Sequence, residues 1–161
     1  MTDTSQWITI ERRFAAPVAA VWAMWADPGL FKKWFGPNGM SVPVAQMDVK
    51  IGGTRKVCMQ LDRPGQTMSM WFTGVYKEID PPFRLVYTES MCQPDGTLIS
   101  PTSMGMPEGT PDFTEVIVEL KATEEGTHMK MTHVGIPEGS PGEGGWQQAF
   151  DKLSNALMTA G

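Results

Sequence analysis

The sequence predicts an α+β fold: a curved antiparallel sheet of six or seven strands around a long C-terminal helix, with two short helices after the first strand. Three observations predict it. Runs of alternating apolar and polar residues follow one another through most of the chain, and short Gly- and Pro-containing turns separate them. Such turns favour antiparallel pairing. The one long apolar stripe of helical period lies at the C-terminal end, and it alone can cover the apolar face of a sheet of that size.

The first strand is Trp7 to Phe14. Ile8, Ile10 and Phe14 share one parity, and Thr9, Glu11 and Arg13 share the other. Pro17 suits the first turn of a helix, and Val18, Val21, Trp22 and Trp25 then line one helical face. Asp27-Pro28 restarts the chain as a second short helix, with Asp as N-cap and Pro at the first helical position. Gly36-Pro37 and Asn38-Gly39 stop it. Strands are expected over 40–51, 54–61, 68–79, 83–91, 113–120 and 128–134. Pro43 places the first of these at an edge or a strand start. The segment 93–112 shows no clean periodicity, and loops of that length in compact domains are often functional. Ser140-Pro141-Gly142-Glu143 has capping-box spacing, and Trp146, Phe150, Leu153 and Leu157 make the apolar stripe of the last helix.

Length and charge narrow the function. The 161 residues, 41% of them apolar, fit one domain spanning 1–161. The net charge of -5 argues against nucleic acid and against adsorption to anionic membranes. No apolar run reaches the ~18 residues of a membrane span, and no secretory signal follows the polar start, so the expectation is a cytoplasmic protein. Cys58 and Cys92 read as small buried groups without disulfide or metal spacing.

Period 2 assigns faces to the strands. The helix side receives Arg55, Val57 and Met59; Met68, Met70, Phe72, Gly74 and Tyr76; Leu85, Tyr87, Glu89 and Met91; Val116, Val118 and Leu120; and Met129, Met131 and His133. Trp71 is the misfit, turned inward by a bulge or marking a surface contact. This inner face is rich in Met and aromatic residues, which suit an adaptable apolar cavity. Arg55, Glu89 and His133 are ionisable groups on it, so each needs a partner, water or a ligand. The cavity candidates are therefore Arg55, Met70, Phe72, Tyr87, Glu89, Met131, His133, Trp146 and Phe150. No standard catalytic motif appears, no cofactor or metal is implied, and His128 and His133 fall on opposite faces. Catalysis, if present, is acid–base work by Glu89 and His133.

Phe14-Ala15-Ala16-Pro17, Val21-Trp22, Trp25-Ala26-Asp27-Pro28 and Lys33-Trp34-Phe35-Gly36-Pro37 resemble the activator of heat shock protein 90 ATPase homologue family. So do Asp48, Gly52-Gly53, Gly74-Val75-Tyr76, Pro81, Arg84-Leu85-Val86-Tyr87-Thr88-Glu89, Gly145-Trp146 and Phe150-Asp151-Lys152-Leu153. That family belongs to the START-like, or SRPBCC, superfamily. The resemblance implies a helix-grip fold, in which a curved sheet wraps a C-terminal helix around a hydrophobic cavity. Members of the superfamily bind lipids, hormones and polyketides, and some are cyclases or aromatases. The chain departs from common family patterns at Arg55, where many relatives carry a bulky aromatic, and in the length of 93–112.

Three readings follow. The first is a non-enzymatic binder of a small apolar or amphipathic molecule between the sheet and the last helix. The second is a cyclase/aromatase or hydrolase of a hydrophobic substrate. The third is a chaperone-associated interaction module acting through Trp71 or 93–112. A homodimer is left open, and fold alone does not choose among these readings.

Overall fold

The structure is a computed structural model and describes residues 7–100 and 113–159. Its elements run β1 (Trp7–Phe14), α1 (Val18–Ala26), α2 (Pro28–Phe31), β2 (Met40–Met47), β3 (Thr54–Arg63), β4 (Gln66–Asp80), β5 (Arg84–Cys92), β6 (Thr114–Thr123), β7 (Gly126–Pro137) and α3 (Pro141–Thr159). The strands make one curved seven-stranded antiparallel sheet in the order β1-β7-β6-β5-β4-β3-β2. All consecutive strands from β2 to β7 are neighbours. The first strand crosses to the far edge to pair with the last.

The inward parities expected from the sequence hold on β3, β5, β6 and β7. Arg55, Val57 and Met59 are buried, as are Leu85, Tyr87, Glu89, Val116, Val118, Leu120, Met129, Met131 and His133. On β4 the expectation fails at one end. Met68 is 45% exposed, and its neighbours Gln66, Thr67 and Ser69 are exposed too. The tip of the β3–β4 hairpin projects past the layer that covers the sheet, so parity no longer decides burial there. Trp71 needs no bulge. It pairs in register with Cys58 on one side and Cys92 on the other, lies half-buried on the outward face, and has the Lys56 ammonium 5.3 Å from its ring centroid.

Several boundaries move for identifiable reasons. The expected strand 40–51 ends at Met47, because Asp48 to Gly53 forms a turn closed by Gly53 N–H to Lys50 C=O. Pro43 sits in the register shift between Ser41 and Val44 on the edge strand, where its missing N–H costs nothing. Residues 93–99 turn back along the end of β5. Gln93 N–H bonds Thr97 C=O, and Ile99 N–H bonds Met91 C=O. The remainder of the expected 93–112 loop, from residue 101, lies outside the described residues.

The helices are set by local chemistry. Asp27 caps α2, its Oδ1 accepting from Gly29 N–H at 2.8 Å and Leu30 N–H at 3.3 Å. Pro28 follows at the first helical position. The reciprocal capping box expected at Ser140 does not form. Glu143 Oε1 accepts from Gly139 N–H at 3.1 Å rather than from Ser140, and the Ser140 hydroxyl donates to Pro137 C=O at 2.6 Å. The chain enters α3 through a tight turn, Ser140 N–H to Pro137 C=O, which directs the hydroxyl backwards.

α3 is held to the sheet by packing and by polar clamps. Trp146, Ala149, Phe150 and Leu153 are its buried face. They meet Trp25 from α1 and Trp34 and Phe35 from the segment after α2; Trp25 and Trp34 stand edge-to-face with centroids 4.8 Å apart. Arg12 on β1 donates to Gln147 Oε1 at 2.6 Å and to Asp151 Oδ1 at 2.9 Å. Lys152 Nζ donates to the carbonyls of Phe35 and Pro37, both at 3.3 Å. A membrane-crossing role for α3 finds no support: among the described residues, no helix is long and apolar enough to span a bilayer.

Gly74 carries a packing requirement that its neighbours do not. It stands opposite Arg55, just before the β4–β5 register shift between Tyr76 and Glu78. A Cβ there would run into the Thr88 carbonyl oxygen of β5. The Gly74→Ala variant should therefore lose roughly 2–4 kcal/mol in urea unfolding, a loss of the size expected for backbone overlap in a core. A cost below about 0.5 kcal/mol would show that the two strands can part there without penalty.

Candidate functional site

The concave side of the sheet carries a seam of buried polar groups within an apolar core. Alternation on five strands brings them together: Arg55 from β3, Tyr76 from β4, Tyr87 and Glu89 from β5, Thr114 from β6 and His133 from β7. Glu89 is on the central strand, with Arg55 to one side and the Thr114–His133 pair to the other.

The Arg55 side is an ion pair under an aromatic lid. Arg55 is 1% exposed and Glu89 8%. Arg55 Nη1 approaches Glu89 Oε2 at 3.4 Å, which is long for a charge-assisted hydrogen bond. The guanidinium carbon lies 3.8 Å from the Tyr87 ring centroid and 5.5 Å from that of Phe31 on α2. These ring faces favour the cation in a dry site. Arg55 Nε and Nη2 and the hydroxyls of Tyr76 and Tyr87 are buried without a hydrogen-bond partner among the described residues. The Tyr76 phenol is close enough to feel the Arg55 charge, but it does not reach hydrogen-bond geometry. Each such orphaned group costs about 1–3 kcal/mol.

The His133 side is saturated. Trp146 Nε1, which can only donate, gives its hydrogen to His133 Nδ1 at 3.0 Å. The neutral ring therefore carries its proton on Nε2, which faces Thr114 Oγ1 at 2.9 Å. The Thr114 hydroxyl donates onward to the Glu89 backbone carbonyl at 3.1 Å. Donors and acceptors match at every step. His133 Nε2 also lies 4.0 Å from Glu89 Oε1, but no ion pair forms while the ring is neutral. Burial holds the His133 pKa down to about 4. Burial also pushes the Glu89 carboxyl above its ordinary value, and Arg55 pulls it part-way back.

The other sequence candidates occupy the surrounding core. Phe72 is buried beside the seam, Met131 is fully buried below it, and Met70 is half-buried towards the hairpin. Phe150 is fully enclosed by Trp25, Trp34 and Trp146. Trp146, Phe150 and Leu153 of α3 are buried against this core. A shallow hollow of about 480 Å³, lined by Gln46, Asp48, Arg55, Lys56, Thr73 and Asp95, opens at the Arg55 end of the sheet. Tyr76, Thr114 and Phe31 were absent from the expected site. Thr114 was legible, since it shares parity with Val116 and Val118; Phe31 reaches Arg55 only because α2 folds over β3.

Comparison with known proteins follows this geometry. The family model described as Activator of Hsp90 ATPase homolog 1-like protein matches residues 15–158. The chain belongs to that family. Solved structures share the architecture of this chain. A Chromobacterium violaceum protein is similar at 26% identity and TM-score 0.75, over 93% of this chain and 95% of that chain. A Nitrosomonas europaea protein is similar at 23% identity and TM-score 0.74, over 99% and 98%. The AHSA1 protein of Silicibacter pomeroyi is similar at 20% identity and TM-score 0.72, over 96% and 99%. No curated protein gives a significant match to the chain. The START-like expectation for the fold is thereby met.

The bonded state of His133 in this homologue has two measurable consequences. Its folded pKa lies below the unfolded value, so the stability it contributes is present above pH ~6.5 and lost as pH falls towards 4, by about 3 kcal/mol in all. The ring carbon protons of His133 should show no titration in NMR between pH 8 and pH 5.5, whereas a midpoint near 6.5 would contradict the assigned bonding. Trp146→Phe frees Nδ1 to take a proton, so in that variant the His133 midpoint should rise towards the ordinary value.

Proposed function

We propose that this family member is a binding protein for a small amphipathic molecule, held on the concave side of the sheet with its polar end at Arg55. The observation that carries this reading is the cluster of buried, unpartnered polar atoms around Arg55: Nε, Nη2 and the two phenol oxygens. Natural cores rarely leave so many polar atoms unpaired together, and sites of this composition (apolar walls with a few convergent polar groups) are typical of small-molecule pockets. The Met and aromatic residues around the seam supply adaptable walls.

Side chains must move for a ligand to reach these atoms, because they are closed off from solvent. Phe31 is the natural candidate, since it sits over the guanidinium on the four-residue helix α2. An acid–base enzyme receives less support. His133 Nδ1 is engaged by Trp146 and Nε2 by Thr114, which leaves no free lone pair for a substrate proton.

A thermal-shift and native mass spectrometry screen against fatty acids, flavonoids and polyketides tests the proposal. Bound ligand at a concentration of 100 Kd should stabilise the protein by about 2.7 kcal/mol, a shift of a few degrees. The Arg55→Met variant should lose that shift while the same compounds stabilise the wild type. Absence of any bound species across the panel, with the wild type folded, would end the binding reading.

A further inference from the structure

The geometry of Arg55 identifies the polar end of the ligand. A guanidinium has two hydrogen-bonding edges suited to a planar oxyanion, and the side edge is formed by Nε and Nη2 together. In this protein Nη1 is turned to Glu89, at 3.4 Å. The two atoms left without partners among the described residues are Nε and Nη2, the pair that makes the side edge. Tyr87 covers one face of the plane at 3.8 Å, so an incoming group meets the guanidinium in its plane. Tyr76, from the adjacent strand, places a further unpartnered hydroxyl beside the same group.

We propose that the Nε/Nη2 edge of Arg55 receives the carboxylate of an amphipathic acid, and that Glu89 takes up one proton from solvent as the acid binds. This deepens the binding reading above and rests on it. Charge balance requires the second part. With Glu89 ionised, the Arg55–Glu89 pair is neutral, and a ligand carboxylate would leave one unbalanced negative charge in a dry site. With Glu89 protonated, the guanidinium and the ligand carboxylate neutralise each other, and Glu89 can still accept from Nη1. The groups facing Glu89 permit the transfer. Arg55 on β3 stays charged, Tyr76 on β4 and Tyr87 on β5 stay protonated at neutral pH, and His133 on β7 is held neutral by Trp146 of α3. Thr114 on β6 bonds the Glu89 backbone and carries no charge. Glu89 is the carboxyl of the seam; burial raises its proton affinity, and Arg55 offsets part of that rise.

The test compares matched acids and amides by isothermal titration calorimetry at pH 7, using dodecanoate against dodecanamide and 2-naphthoate against 2-naphthamide. The two pairs separate aliphatic from aromatic bodies with the same polar end. At least one acid should bind about tenfold or more tighter than its amide, as a bidentate charge-assisted contact implies. Repeating the titration in buffers of different ionisation enthalpy should show uptake of about one proton per acid bound. Glu89→Gln, which imitates the protonated side chain at nearly constant shape, should tighten acid binding and abolish proton uptake. Arg55→Lys keeps a charge but not the fork, and should lose most of the preference for acid over amide. Equal binding of acid and amide by the wild type overturns the inference and leaves the binding reading standing. Acid preference without proton uptake overturns the role of Glu89. Binding of no member of either pair overturns the carboxylate assignment, and the broader screen above then decides the binding reading on its own.

Discussion

Burying a guanidinium and a carboxyl together beneath the helical layer is the constraint around which this molecule is arranged. Neither charge reaches water, and a single Nη1–Oε2 approach of 3.4 Å does not satisfy both groups. The surroundings supply what they can. The ring faces of Tyr87 and Phe31 favour the cation, while the Thr114–His133–Trp146 chain ties the Glu89 backbone to the last helix. A buried pair of this kind contributes little net stability and is a weak reason for its own existence. Its unpaired edge makes better sense as a feature of recognition than as a feature of folding.

The rest of the fold serves to close over that pair. α1 and α2 fold back across the sheet because Asp27 ends one helix and caps the next, which brings Phe31 over Arg55. α3 closes the other half with Trp146 and Phe150, and Arg12 and Lys152 pin its solvent-side edges to β1 and to the chain after α2. The two halves of the cover differ in kind. α3 is nineteen residues long and anchored by polar contacts to Arg12, Asn38, His133, Phe35 and Pro37 and by a large aromatic cluster, whereas α2 is a single turn.

Burial pushes two ionisable groups a few ångströms apart towards their neutral forms, lowering the His133 pKa and raising that of Glu89. His133 has a partner at each nitrogen that fits only the neutral ring, so its environment excludes the proton. Glu89 has Arg55 as a partner on one oxygen, and the guanidinium offsets part of the rise that burial causes. Membership of the Hsp90 ATPase activator homologue family describes the frame on which this arrangement is built. The arrangement itself depends on Arg55, a position that shape alone does not explain.

Much of this was determined by the sequence alone. The order of elements, the antiparallel sheet, the covering helix and the inward parity of Arg55, Glu89 and His133 all follow from local periodicity and turn chemistry, because strand alternation has no freedom once a register is set. The family was also readable from short motifs spread along the chain. Where local rules end, so did legibility. Met68 was misplaced because burial depends on how far a covering layer extends, and the capping box at Ser140 was overread because a preceding turn redirected the hydroxyl. The tertiary structure alone decided that Phe31 lies over Arg55, that Trp146 fixes the proton on His133 Nε2, and that Trp146 and Phe150 pack against Trp25. Each of these is a contact between elements distant in the chain, set by how helices settle on a curved sheet, and no periodicity within one segment carries that information.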